Sequence, residues 1–93
     1  MASVSEAFEK FSMWKNLKTP LRVTVIEGGS PVDVLQARVY GVDPEAGLVG
    51  VVGSKMHSFT DFDVSEAEFS IGPKRVSAAR NDSDWLVFEE SLE

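Results

Sequence analysis

Apolar positions recur along the start of the chain with a helical period. Val4, Ala7, Phe8, Phe11 and Trp14 share one helical face, and Ser3 to Glu6, "SVSE", has capping-box spacing in front of it. This predicts an amphipathic helix over about residues 4–17. It should stop there because Lys15 and Lys18 suit a helix C-terminus and Pro20 pushes Thr19 into an extended conformation. The apolar face requires a surface to cover.

From Leu21 the period changes from helical to alternating. Leu21, Val23 and Val25 fall on one side of a first strand and Arg22 and Thr24 on the other, until "EGGSP" ends it. A second strand carries Leu35, Ala37 and Val39 against Gln36, Arg38 and Tyr40. The turn residues of "GVDPEAG" then lead into the nearly continuous apolar run "LVGVV", which predicts a third strand buried on both faces. Further strand segments are expected at about His57–Val64, Glu66–Ile71, Arg75–Arg80 and Trp85–Glu89, the last two joined by the turn-rich "NDSD". No repeat or low-complexity segment interrupts the pattern. The outline is mainly β with one N-terminal helix: a small, strongly bent antiparallel barrel of five to six strands with a helix capping its open end.

Length and composition bound this picture. A chain of 93 residues, 43% hydrophobic and 26% charged, holds one compact domain spanning residues 1–93 and no second core. Fifteen acidic against nine basic residues leave a formal charge of -6, which repels polyanions and makes a basic partner electrostatically easier than nucleic acid or anionic lipid. The absence of cysteine removes disulfides and thiolate metal sites and is compatible with a reducing cytoplasm. The acidic N-terminus is unlike a signal peptide, and no apolar run approaches bilayer length, so a cytoplasmic protein is expected.

The order of "LRVTVIEGG", "ARVYGVDPEAGLVGVV" and "IGPKRV" resembles the two motifs of the Sm-like (LSm, Hfq-like) small-barrel family over roughly Phe8 to Arg80. In the first motif an alternating strand leads to a glycine, then to a second strand ending in an aspartate turn, here at Asp43, and to an apolar third strand. The second motif is matched at the apolar ends, Ile71 and Val76. This chain is a divergent member by that resemblance: the loop "EGGSPVDVL" is long, Ala37 stands where a strand-bending glycine is common, and "MHSFTDFDVSEAEF" extends the fourth-strand region.

The resemblance implies where an RNA pocket would sit, and there the family's contacts are missing. The stacking position corresponds to Glu45, the base-reading asparagine to Gly47, and the arginine of the second motif to Gly72. A carboxylate offers no stacking face and repels phosphate, and glycine has no side-chain donor. Asp43 is read as a side chain that bonds its own turn amides. Lys74 and Arg75 beside Pro73, with Arg80, are the candidate atypical RNA contacts, although so few charges on an acidic protein are ordinarily a solvated edge.

Signals for enzyme chemistry are thin. His57, the single histidine, has Ser58 and Asp61 near it in sequence, but no nucleophile-elbow motif accompanies them. Asp61, Asp63, Glu66 and Glu68 fall within eight residues; in a continuous strand the aspartates would share one face and the glutamates the other, without the spacing of a calcium loop. The glycines of "GLVGVVG" lack the pattern of a phosphate loop and are read as bending and close backbone approach in a small barrel. Trp14 and Trp85 are read as core or interface anchors.

The expectation is a non-catalytic Sm-like binding or scaffold module without cofactor or metal. As the resemblance implies, it would form a homo-oligomeric ring of five to eight subunits, with RNA contact weak and no membrane contact. RNA binding through Lys74, Arg75 and Arg80 is the second reading, and a small metal-dependent hydrolase using His57 with Asp61 or Asp63 the third.

Overall fold

A computed structural model describes residues 4–53 and 59–91. Helix α1 (Val4–Leu17) ends as the sequence requires: Lys18 adopts a positive φ, its N–H bonds the Lys15 carbonyl and the Thr19 N–H reaches back to the Trp14 carbonyl at 3.1 Å. These two bonds make a Schellman turn, which satisfies carbonyls that the helix end would otherwise leave open before Pro20.

Among the described residues seven strands follow: β1 (Leu21–Glu27), β2 (Ser30–Asp43), β3 (Leu48–Gly53), β4 (Phe59–Asp63), β5 (Glu68–Gly72), β6 (Arg75–Ala79) and β7 (Trp85–Glu90). They form one antiparallel sheet in the order β4-β3-β2-β1-β7-β6-β5. The expected mainly β, antiparallel architecture with one N-terminal helix is found, while the strongly bent barrel of five to six strands is corrected, among the described residues, to an open sheet of seven. Every alternating segment becomes a paired strand, and β4 and β5 do not pair with each other, so the sheet stays open with those two as its edges. The sheet nevertheless curls. Helix α1 packs against both β2 and β5, and Phe62 on edge strand β4 lies 5.9 Å from Phe88 on β7.

The core fills the inside of this curl. Ala7, Phe8, Phe11 and Trp14 are buried on α1, where Phe11 meets Phe88 edge-on at 5.0 Å and Phe8 at 5.5 Å. The Trp14 indole N–H donates to Glu90 Oε2 at 3.0 Å, so the buried ring keeps its polar atom satisfied. Strand β3 buries Val49 and Val51 on its core side and Gly50 on the other, where Leu48 and Val52 stay partly exposed, so the expected burial on both faces is met only in part.

Two boundaries differ from the sequence expectation. The stretch "EGGSPVDVL" is no long loop: Gly28 and Gly29 make a two-residue turn with positive φ at both, and β2 pairs with β1 from Ser30 onward. The register shifts between Val25 and Ile26, where Val32 is the extra residue and Pro31, which lacks an N–H, sits beside the bulge. A second shift on β2, between Val39 and Gly41, leaves Tyr40 as the extra residue opposite β3. The acidic stretch after β4 is likewise no continuous strand. Val64 to Ala67 turn the chain, which removes Glu66 from any strand and leaves Glu68 at the start of β5.

Candidate functional site

The turn that joins β2 to β3 holds three of the positions marked in the sequence. Asp43 Oδ1 accepts the Ala46 N–H at 3.2 Å, and Glu45 is exposed in the same turn. Gly47 is buried at φ 70°, and its carbonyl accepts the Val64 N–H at 2.8 Å. A Cβ built at Gly47 collides with the Cα and Cβ of Ser65. The position that the resemblance gives to a base-reading asparagine is therefore closed by a neighbouring turn as well as restricted by backbone conformation. Gly72 is different: at the end of β5, a Cβ there meets nothing closer than Arg75 at 3.9 Å, so a side chain would fit.

The three basic candidates are divided. Lys74 and Arg75 occupy the turn and first residue of the β5–β6 hairpin, while Arg80 follows the far end of β6, roughly 16 Å away along the strand. Arg80 lines a groove of about 270 Å³ with Asp63, Ser65, Glu66 and Ala67, and its charge contributes to holding both Asp63 and Asp84 below the ordinary carboxylate range. Surrounded by acids, it offers phosphate little attraction. Two cations absent from the sequence candidates do join Lys74 and Arg75. Lys10 Nζ donates to the Pro73 carbonyl at 2.6 Å, and Arg22 lies 3.9 Å from Glu89, which is the register partner of Arg75. Arg22 reaches this place through sheet pairing and Lys10 through the docking of α1 against β5. The interleaved Glu89 and Glu90 reduce the net charge of the patch.

The outward face of β2, β3 and β4 carries an arrangement that sequence reasoning missed. The Tyr40 hydroxyl donates to Asp61 Oδ1 at 2.7 Å, and its ring meets Phe59 edge-on with centroids 4.9 Å apart. Both rings are open to solvent, Tyr40 at 41% and Phe59 at 67% of full exposure. Gly50 lies beneath the Tyr40 ring: a Cβ there would come within 2.6 Å of Tyr40 Cε1 and 2.7 Å of Asp61 Oδ1. The glycine in the apolar strand is thus required by an aromatic ring lying across the backbone. The hydrogen bond to Asp61, then partial burial and the carboxylate's charge, raise the Tyr40 phenol above its ordinary pKa. Asp43 and Asp63 point to the same side, being register partners of Leu48 in the row beside Gly50 and Asp61.

The remaining acids are engaged locally. Asp63 accepts both the Ser65 N–H and hydroxyl, the backbone bond being the larger cause of its lowered pKa. Asp84 takes bonds from the Asn81 amide and the Gly28 N–H, which lower its pKa in that order and tie the β6–β7 loop to the β1–β2 turn. Among the described residues no group of three or more His, Cys, Asp or Glu is placed to hold a metal ion. His57 and Ser58 lie outside the described residues. Trp85 sits partly buried on the outer face of β7 and Trp14 in the core. No helix among the described residues is long and apolar enough to cross a membrane. No protein-family model matches the chain, and neither a curated protein nor a solved structure does.

Proposed function

We propose that this chain is a non-catalytic binding or scaffold module that assembles with copies of itself. One observation carries this reading: among the described residues, a sheet of seven strands leaves β4 and β5 unpaired along their outer edges. Open edges are templates for further pairing, and one subunit's β4 on its neighbour's β5 would give a head-to-tail contact that closes into a ring, as the resemblance to Sm-like proteins implies. Asp61 and Asp63 on β4 and Glu68 on β5 would face each other across such a contact, so assembly should strengthen as salt screens them. Light scattering coupled to size exclusion tests it. The expected mass is five to eight times the 10.2 kDa of one chain, favoured by higher salt, and a monomer at micromolar concentration under both conditions removes the reading.

A second reading, binding of single-stranded RNA, is favoured by the convergence of Lys10 and Arg22 on Lys74 and Arg75. It ranks lower because Glu89 and Glu90 lie within the patch and the chain carries a charge of -6. Fluorescence anisotropy with a labelled oligouridine in increasing salt tests it. Tight binding lost on Lys74→Ala with Arg75→Ala would place this reading first.

A further inference from the structure

We infer that the outward face of β2–β4, centred on Tyr40 and Phe59, docks an arginine-bearing segment of a protein partner. The inference deepens the reading of the chain as a binding module and names the chemistry of what it binds. Exposed aromatic side chains as large as these ordinarily turn inward, and here two of them are held together on the outside of a sheet. Their orientation is built in. The Tyr40 hydroxyl is fixed by Asp61, its ring rests on the bare backbone of Gly50, and Phe59 packs edge-on against it. Such a surface needs no ordering when a ligand arrives, which removes one of the costs of binding.

The charge around the rings selects the ligand. Asp61, Asp43 and Asp63 stand on the same face, with Arg38 as the one cation of the described residues on the adjacent row. The Asp61 carboxylate accepts the Tyr40 hydroxyl through Oδ1, and a carboxylate has further lone pairs for a second donor. A guanidinium stacks on an aromatic face and donates in a planar fork to a neighbouring carboxylate, so this combination suits arginine better than lysine. Polyanions are repelled by the same three carboxylates and by the overall charge of -6. The chemistry fits a cationic side chain on a peptide and opposes nucleic acid.

Nuclear magnetic resonance on the full-length ¹⁵N-labelled protein tests the assignment, with short peptides of alternating arginine and glycine, lysine and glycine, or glutamate and glycine as probes. The arginine peptide should shift the amides of Tyr40, Gly50 and Asp61, bind more tightly than the lysine peptide, and weaken as salt rises. Phe59→Ala, a change at an exposed ring, should lower affinity about two- to fivefold. Asp61→Asn keeps an acceptor for the Tyr40 hydroxyl and removes the charge, and should lower affinity by a similar factor. Equal shifts with arginine and lysine peptides centred on Glu66 and Asp82, unchanged in Phe59→Ala, would mean general attraction to an acidic surface and overturn the inference. Shifts of this face by an oligouridine would overturn it also. Native mass measured on the same variants separates the two readings: assembly retained without peptide binding removes only the docking inference, and peptide binding by a monomer removes only the assembly.

Discussion

Replacing Gly47 by alanine should destabilise the fold well beyond the ordinary effect of one methyl group. Two separate penalties act there. At φ 70° an L-residue is left-handed, which costs roughly 1–2 kcal/mol. The new Cβ also overlaps the Cα and Cβ of Ser65 and comes within 2.9 Å of its N, so the Val64–Ala67 turn must move. Moving it strains the bond from the Val64 N–H to the Gly47 carbonyl, now 2.8 Å, worth about 1 kcal/mol. Together the loss should be roughly 2–4 kcal/mol, a large share of the roughly 5–14 kcal/mol typical of a chain this long. Urea unfolding followed by tryptophan fluorescence measures it directly. Gly47→Asn distinguishes the penalties, because asparagine tolerates the left-handed region but brings the same Cβ. It should be nearly as damaging as alanine. A loss below about 1 kcal/mol for both variants would refute the packing of the β2–β3 turn against Ser65.

Two other outcomes are expected. Phe11→Ala empties a fully buried position between Phe8, Trp14 and Phe88 and should lower stability by about 3–5 kcal/mol; an unchanged melting temperature would contradict the docking of α1 in the core. Asp63 and Asp84 have folded pKa values below their unfolded ones, so the stability they contribute is present above about pH 4 and is lost as pH falls through the folded values. The urea midpoint should drop in that acid range, and Asp84→Asn should flatten the drop; an equally steep profile in the variant would rule out Asp84 as a contributor.

The elements with a buried face were legible in the sequence, and those without one were not. Helix α1 and strand β1 announce themselves because Phe8, Phe11, Leu21 and Val23 all need the core. Residues 30–34 of β2 are exposed on both sides, so no alternation marks them, and the backbone ladder to β1 alone makes them a strand. Openness of the sheet had no sequence signal either, since closure depends on whether β4 meets β5 in space. The Tyr40, Phe59 and Asp61 cluster joins residues up to 21 positions apart through a bulge that no local pattern predicts. Its one trace was Gly50, a glycine inside an apolar strand, which can mean bending or a ring lying across it.

The two bulges of β2 separate what the strand buries from how it bends. Each adds one residue opposite none, so the side chains beyond it return to the faces they would have held in a shorter, regular strand. A chain lacking Gly41 would still turn Val42 inward and Asp43 outward. What it would lose is curvature, and with it the wrap of the sheet around α1. Inside and outside are encoded in β2 by alternation, whereas shape is encoded by length, and the two can change independently in descendants of this sequence.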